Sequence, residues 1–356
     1  MKIATLANAS VVHTWRWVEH FRSRGHEVRL WSLEPGPPSL AALALPRAPL
    51  PGFARYPLAA PALRRALAEF RPDVVDAHYV PNYGLLGALA GTRPLAVTAW
   101  GSDLLVAGPR DPLQRARARF VLRRADAVLA DSDNLGRAAL ALGATAARLH
   151  VIPWGVDLKR WSPAPEREPG LLLSARMHEP IYDLETLIEG VAVVLARRPD
   201  TRLVIVGDGS SRPGLERLAA RRLPPGRFAF VGRLESDALT ALVARAEIYL
   251  SASRSDSTSL SLLEAMAAGA LPVVSDLEGN REWVAEGDGA RLFPVGDAPA
   301  LAVALDRALG DPAWMTAARR RNREVVTARG DRELNLARIE SLFEQLAARA
   351  RAPEPE

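Results

Sequence analysis

Cysteine is absent from the 356-residue sequence. Its absence excludes disulfides, a thiolate nucleophile and a zinc site with sulfur ligands. Long apolar runs are absent as well: none approaches the ~20 residues that a membrane-spanning helix needs. The N-terminal stretch "MKIATLANAS" is typical of a strand, and neither its length nor its composition fits a signal peptide. We therefore expect a cytoplasmic protein, and no cluster of His, Asp and Glu residues indicates a metal site.

Charge of one sign is only slightly in excess, with a net charge of +5, and 48% of the residues are hydrophobic. Such a composition is ordinary for a soluble globular protein. Arginines are concentrated in "RDPLQRARARFVLRR", a predicted helix over about 111–124 with six Arg and one Asp. Two interpretations stay open for this helix. It presents a solvated face, or it contacts an anionic membrane or a phosphate-linked acceptor at the inner face of the membrane.

Apolar strands alternate with helices along the chain, and this alternation predicts an α/β fold with parallel sheets. The pattern stops at "RWSPAPEREP" (160–169) and then restarts. We therefore predict two Rossmann-like domains, 1–163 and 164–335, with parallel sheets facing each other across a cleft. Residues 336–356 are predicted as a C-terminal helix that packs back on the first domain, followed by a disordered tail. In such sheets, ligands bind at the carboxyl ends of the strands.

The stretch "SRSDSTSLSLLEAMAAGALPVVSD" (253–276) follows a predicted strand and runs into a helix. Ser257, Thr258 and Ser259 are candidate N-caps, and the free amides of that helix end suit a phosphate. Asp256 and Glu264 would flank this anion site. The arrangement fits a nucleotide sugar, which has phosphates in the middle and hydroxyls at both ends. The alternative is that Asp256 caps the turn and Glu264 is a solvated helix residue.

Two shorter motifs are similar to a dinucleotide-binding motif and a metal-binding motif, but the sequence around them favours structural roles. "VGDG", with Gly207 and Gly209, lacks the third glycine of a dinucleotide fingerprint. "DSD" at 131–133 is similar to a metal-binding motif, but its place between a strand and a helix favours capping. No metal and no cofactor is predicted.

The stretch 253–276 resembles the signature of the group 1 glycosyltransferases, the family-four retaining enzymes of GT-B fold. "FRSRGHEV", "WGSDLL", "VIPWGVDLKRWSP", "FVGRL" and "GNREWVAEG" follow in the family's order, so that the resemblance covers almost the whole chain. It implies that Glu264 binds the ribose and Asp256, in place of the usual Glu, the transferred sugar. The phosphate would be held by the amides of the residues between them, namely Ser257, Thr258, Ser259 and Leu260.

The resemblance also implies that Arg176 neutralises the diphosphate leaving group in place of a metal. The family's nearby Lys is replaced here by Tyr182. Gly207 and Gly209 would shape the wall of the donor pocket. Arg233 and Leu234 would lie near the nucleobase.

The resemblance implies that the first domain binds the acceptor and the second binds the nucleotide sugar. In the first domain, the family's Gly-rich loop is replaced by a turn that includes Ser10, expected near the donor. Trp100 stands where relatives have a His. His78 and Asp103 are the nearest alternatives on the acceptor side, although a lone His or Asp at a strand end is more often structural.

Taken together, these features predict a retaining, metal-independent hexosyltransferase that uses a UDP- or GDP-sugar as donor. Its acceptor would be a sugar, a lipid-linked compound or a small molecule, in the synthesis of cell-surface polysaccharide, glycolipid or another glycoconjugate. A non-catalytic relative that binds sugar nucleotides is the first alternative. An RNA-directed protein that uses the Arg-rich helix is the second, but the sequence contains no recognised nucleic-acid motif.

Overall fold

A computed structural model describes residues 1–46, 52–107, 111–164 and 166–352. The chain divides into two compact units, Met1–Ile152 with Leu334–Glu356, and Pro153–Glu333. The sequence placed these boundaries at 163/164 and 335/336. The end of the predicted tail, 353–356, lies outside the described residues.

The first unit is a parallel sheet covered by helices. Its strands are β1 (Lys2–Leu6), β2 (Glu27–Ser32), β3 (Leu43–Ala44), β4 (Val74–His78), β5 (Leu95–Thr98), β6 (Ala127–Ala130) and β7 (Leu149–Val151). Its helices are α1 (Val12–Ser23), α2 (Gly52–Phe70), α3 (Leu85–Ala90), α4 (Pro112–Arg124) and α5 (Asp133–Ala141). The strand order is β3-β2-β1-β4-β5-β6-β7. The chain therefore adds strands toward one edge of the sheet from β1 to β3, and toward the other edge from β4 onward. The switch point lies between β1 and β4.

The second unit repeats this plan. Its strands are β8 (Leu171–Ala175), β9 (Arg202–Val206), β10 (Phe228–Gly232), β11 (Ile248–Ser251), β12 (Leu271–Ser275), β13 (Ala285–Glu286) and β14 (Gly289–Phe293). Its helices are α6 (Leu184–Arg197), α7 (Arg212–Arg222), α8 (Ser236–Arg245), α9 (Leu260–Ala268), α10 (Glu278–Arg281), α11 (Ala298–Leu309) and α12 (Pro312–Arg329). The order β10-β9-β8-β11-β12-β14-β13 reverses between β8 and β11.

The central strands of both sheets are buried on both faces, even where they carry polar residues such as Asp76 and His78. All five residues of β4 are buried, as expected for a strand that is covered on both faces. Each unit has its own core: Leu6, Leu63 and Leu86 are fully buried in the first, and Leu187 and Leu250 in the second. The α/β class with two parallel sheets is thus confirmed.

The last helix, α13 (Arg332–Arg351), belongs to the first unit from Leu334 onward. Phe343 is fully buried and stacks on Phe21 of α1, with ring centroids 5.5 Å apart. Glu340 lies 2.7 Å from Nε2 of His26 and 3.2 Å from Nε of Arg24. These contacts tie the end of the described chain to the first sheet's helices.

Arginine side chains stabilise helix ends in the second unit. Arg323 of α12 donates to the carbonyl of Ala267, at the end of α9. Arg167 donates to the carbonyls of Ala244 and Ala268, at the ends of α8 and α9. The last carbonyls of a helix have no partner within it and carry partial negative charge, so a guanidinium there supplies both hydrogen bonds and charge.

Near 83–90, the helix predicted from the sequence begins later, at Leu85. A π-helical segment, Tyr79–Gly84, precedes it, and Tyr79 is left-handed with φ of 65°. Oδ2 of Asp103 accepts the Val80 N–H at 3.0 Å. This long-range hydrogen bond fixes a backbone that local sequence preference does not specify.

In the described ranges, no helix is both long and apolar enough to cross a membrane.

Candidate functional site

The reversal of strand order in the second unit brings two predicted segments together. Arg176 directly follows β8, and residues 252–259 follow β11, its neighbour in the sheet. Because both strands are parallel, their carboxyl ends lie at the same edge. This edge at a switch point is where open α/β sheets bind ligands.

Helix α9 begins at this edge with a serine cap. Ser259 has extended backbone geometry, and its hydroxyl accepts the Leu262 N–H at 3.4 Å. Of the three candidate caps, Ser259 is therefore the one at the N-cap position. Ser257, Thr258 and Ser259 are all buried. The first amides of α9 and its dipole make this end suitable for an anion.

Arg176 is held against the same helix end by several side chains. Its Nη1 lies 2.7 Å from the Ser259 hydroxyl and 2.8 Å from the Ser261 hydroxyl. Its Nη2 lies 2.6 Å from Oδ2 of Asp256. Tyr249 supports the arrangement, since its hydroxyl lies 2.7 Å from that of Ser261. The predicted Arg176, Asp256 and Ser259 are thus in direct contact.

The guanidinium of Arg176 is buried and charged. Burial opposes its charge, but Asp256 and the nearby tyrosines outweigh this effect and raise the pKa of Arg176 above its usual range. The ring of Tyr182 stacks on the guanidinium at 4.2 Å. The residue that replaces the family's Lys therefore supports the remaining cation.

One donor of this guanidinium is left over. Nε of Arg176 is buried and has no hydrogen-bond partner within the described part of the chain. A buried donor without a partner costs about 1–3 kcal/mol, so such groups need an explanation.

The carboxylates of Glu264 and Asp256 lie at different positions relative to the N-terminus of α9. Glu264 is half-buried on α9, one turn beyond the cap. Asp256 was expected to flank the anion site, but it bonds to the guanidinium that also contacts the cap serine. Asp256 therefore belongs to a cluster with Arg176 and Ser259, rather than flanking it.

Two glycines approach the same edge closely. Gly207 follows β9 with φ of 128°, and a Cβ there would collide with the carbonyl oxygen of Arg176. A Cβ at Gly209 would lie 2.5 Å from the His178 carbonyl oxygen. The sequence assigned them to the wall of a pocket, and both positions require glycine. Arg233 and Leu234 follow β10, with Arg233 exposed and Leu234 half-buried.

The remaining predicted residues belong to the first unit. His78 is buried in a chain of hydrogen bonds: Trp100 Nε1–H donates to its Nδ1 at 3.1 Å, and its Nε2 lies 2.8 Å from Asp76. Since Nδ1 accepts, Nε2 carries the proton and donates to the carboxylate. Asp76 also accepts from Trp17 Nε1 at 2.8 Å. Both nitrogens of His78 are thereby engaged in structural contacts.

Asp103 is completely buried, and its carboxylate holds the backbone of the segments that follow β4 and β5. Its carboxylate accepts N–H groups of Val80, Trp100 and Leu104 at 3.0–3.1 Å. Burial raises the pKa of Asp103 to about 6, against the effect of these amides. Asp103 thus joins two strand ends.

Ser10 is exposed after β1, and its N–H and hydroxyl both bond to Oδ1 of Asn8. Ser10 thus belongs to a local turn.

Two histidines were not identified from the sequence. His13, at the start of α1, lies beside Trp100 with ring centroids 6.2 Å apart, and burial, helped by Arg16, lowers its pKa to about 4. His178 is fully buried against Phe230, and neither ring nitrogen finds a partner among the described residues. His178 stands two residues after Arg176, at a strand end, and that position was the available signal.

Within the described ranges, no three or more His, Cys, Asp or Glu residues are grouped so that they could hold a metal ion. At the "DSD" motif, Ser132 stands at the N-cap of α5. Its hydroxyl lies 2.6 Å from Oδ1 of Asn134 and 3.1 Å from Oδ1 of Asp131.

Two family models match the chain. The model described as "Glycosyltransferase Family 4" matches residues 10–160, and the model described as "Glycosyl transferases group 1" matches residues 168–311.

Curated relatives extend the match. The sulfoquinovosyl transferase SQD2 of Arabidopsis thaliana is 28% identical over 311 residues, which cover 79% of this chain and 60% of that protein. A phosphatidyl-myo-inositol mannosyltransferase of Mycolicibacterium smegmatis is 33% identical over 167 residues, 45% of this chain and 42% of the relative. The chain therefore spans 60% or less of the length of these two relatives.

Solved structures share the fold. The sucrose-phosphate synthase from Thermosynechococcus elongatus superposes with a TM-score of 0.85 at 22% identity, over 98% of this chain and 99% of the other. HepE of Anabaena in complex with UDP-glucose superposes with a TM-score of 0.82 at 18% identity, over 97% of this chain and 100% of the other. With the two family models, these matches show that the chain belongs to the group 1 glycosyltransferases of GT-B fold.

Proposed function

We propose that the protein transfers a hexose from a nucleoside-diphosphate sugar to an acceptor hydroxyl, with retention of the anomeric configuration. The observation that carries this proposal is the cluster of Arg176, Asp256 and Ser259 at the N-terminus of α9. It combines a charged guanidinium, free helix amides and carboxylates at one sheet edge. Diphosphate and sugar hydroxyls match these groups in charge and in hydrogen bonding.

Each residue has a role in this proposal. The α9 amides near Ser259 and Leu260 bind the distal phosphate, and the positive charge of Arg176 beside them attracts it. Glu264 accepts hydrogen bonds from the ribose. Asp256 accepts from hydroxyls of the sugar. The Gly207 turn leaves room for the donor beside Arg176.

The chemistry follows from this assignment. The bond between the anomeric carbon and the phosphate oxygen breaks, and the acceptor oxygen bonds to that carbon on the same face. The acceptor's proton passes to the departing phosphate. Arg176 and the helix end stabilise the charge that develops on the leaving group, without a metal.

Support for the donor and acceptor classes comes from the relatives. HepE was solved with UDP-glucose, which favours a UDP-sugar among the UDP- and GDP-sugars expected as donor here. Among a sugar, a lipid-linked compound and a small molecule as acceptor, the name of the phosphatidyl-myo-inositol mannosyltransferase supports a lipid-linked acceptor in glycoconjugate synthesis.

Turnover tests the proposal directly. Proton NMR of the protein with UDP-glucose or GDP-mannose should show donor consumption, and the first-formed product should keep the donor's axial linkage. Glu264→Ala should abolish turnover, whereas Glu324→Ala, an exposed acid on α12, should leave it unchanged. An inverted product would contradict retention. Donor binding without turnover for any acceptor would favour a non-catalytic relative.

We also propose that α4 contacts an anionic membrane surface, with the protein on the cytoplasmic face. This helix exposes Leu113 and Phe120 next to Arg119 and Arg123. Apolar and cationic groups on one exposed helix suit an interface with anionic lipid. The protein should sediment with phosphatidylglycerol vesicles but not with phosphatidylcholine vesicles. Equal sedimentation of an Arg119→Glu, Arg123→Glu variant would contradict this contact.

A further inference from the structure

A pocket of about 380 Å³ opens at the carboxyl edge of the first unit's sheet, lined by residues within 32–45. Ser32 ends β2, so the pocket begins where that strand stops. The loop also touches the turn after β1, because a Cβ at Gly36 would lie 2.8 Å from the Cβ of Ala9. The pocket therefore adjoins the strand end at the first unit's own switch point, where such sheets bind ligands.

A polar cluster lies at one end of this pocket. Oε1 of Glu34 accepts from Nη2 of Arg55 at 2.6 Å, and Oε2 accepts from the Tyr83 hydroxyl. The Tyr83 hydroxyl in turn accepts the Leu33 N–H at 2.8 Å. Glu34 is only 13% exposed, so its orientation is fixed. Among the described contacts each carboxylate oxygen uses one acceptor position, and a second remains on each for a hydroxyl.

The rest of the pocket is apolar and stiff. Its wall is formed mainly by Pro35, Pro37, Pro38, Ala42, Leu43 and Leu45. Each proline fixes its own φ angle, which lowers the backbone entropy that this part of the wall loses when a ligand binds. Leu43 remains 43% exposed on the edge strand β3. A concave apolar surface with a few fixed polar groups is typical of a small-molecule site.

We propose that this pocket binds the acceptor, and that the acceptor is a neutral, amphipathic hydroxyl compound. Its apolar part lies on the proline and leucine wall, and one hydroxyl donates to Glu34. The Glu34–Arg55 pair has no net charge, which disfavours an anionic ligand at this end of the pocket. This proposal rests on the proposed transferase function and specifies the class of its acceptor.

The probes are n-octyl β-D-glucoside, kept below its micelle concentration, and methyl β-D-glucoside. Calorimetry on the full chain should show that the octyl compound binds at least tenfold more tightly. Ala42→Trp should fill the pocket and remove that difference, and Glu34→Gln should weaken both ligands several-fold. Ala68→Trp, at an exposed position of α2, is the matched control and should behave as wild type.

Equal binding of both glucosides to wild type would overturn the proposal, and so would unchanged octyl glucoside binding in Ala42→Trp. Binding of UDP- and GDP-sugars is measured on the same samples. Ala42→Trp should leave it unchanged, because the donor cluster lies in the second unit. Octyl glucoside binding without any sugar-nucleotide binding would overturn the acceptor role and the proposed function, while the pocket would remain a binding site.

Discussion

At the scale of single residues, Arg176 is held by several side chains at once. The family's Lys is absent, yet the guanidinium is surrounded by Asp256, Ser259 and Ser261, and Tyr182 covers one of its faces. The ring restricts the side chain and adds a favourable interaction with its charge. Arg176 is thus held in position before a phosphate arrives.

Replacing Tyr182 tests this stacking. A cation–π contact contributes about 1 kcal/mol, so Tyr182→Ala should weaken nucleoside-diphosphate binding by roughly fivefold. Tyr182→Phe keeps the ring and should bind as wild type does. Calorimetric titration with UDP and GDP measures both variants. A Phe variant as weak as the Ala variant would show that the hydroxyl, not the ring, matters.

Asp103 gives a pH prediction. Burial raises its pKa to about 6 in the folded protein, against 3.8 as the ordinary value. Between these values the folded state keeps a proton that the unfolded state has lost, so Asp103 makes the protein less stable as pH rises from about 4 to 6. The total cost is on the order of 3 kcal/mol.

Asp103→Asn removes this titration and adds a constant offset from its altered hydrogen bonds. Its free energy of unfolding relative to wild type should therefore rise between pH 4 and pH 7. Urea denaturation at each pH measures that difference. A difference that stays flat or falls with pH would contradict the raised pKa.

At the scale of elements, the ends of α8 and α9 depend on arginines from distant segments. Arg323 donates to the carbonyls of Ala267, Trp161 and Leu158. Several buried acceptors thus share one charged donor. Such contacts are stronger than hydrogen bonds between neutral groups.

Arg323→Ala should lower the free energy of unfolding by about 2–3 kcal/mol, since it leaves these carbonyls without their charged partner. The exposed Arg320 on the same helix is the control, and Arg320→Ala should stay within about 0.5 kcal/mol. Chemical denaturation measures both. Equal effects of the two substitutions would contradict the capping role.

Features that depend on neighbouring residues could be predicted from the sequence. The start of α9 follows from its serine cap and strong helix formers, and the glycine at 269 ends it. The Arg176–Asp256 pair joins residues 80 positions apart, and its partners Ser261 and Tyr249 carry no local signal. Periodicity predicts elements, whereas contacts across the sheet edge depend on register and packing.

At the scale of the whole molecule, two similar sheets are specialised by the residues at their carboxyl edges. The second unit places a buried cation and a helix N-terminus at its switch point. In the first unit, His78 at the end of β4 and Asp103 after β5 are engaged in structural hydrogen bonds, and the apolar pocket opens at the end of β2 instead. Both units therefore share one sheet plan, and they differ in the charge and hydrogen bonding of the residues that follow their strands.

The most direct test of this account is calorimetric binding of UDP-, GDP-, ADP- and dTDP-sugars to wild type, Glu264→Ala and the control Glu324→Ala. We expect one nucleotide class to bind wild type and the control equally. Loss of charged hydrogen bonds to the ribose, about 1.5–3 kcal/mol, should weaken Glu264→Ala by tenfold or more. Binding that is the same in Glu264→Ala and wild type, or absent for every nucleotide sugar, would contradict the donor site at α9.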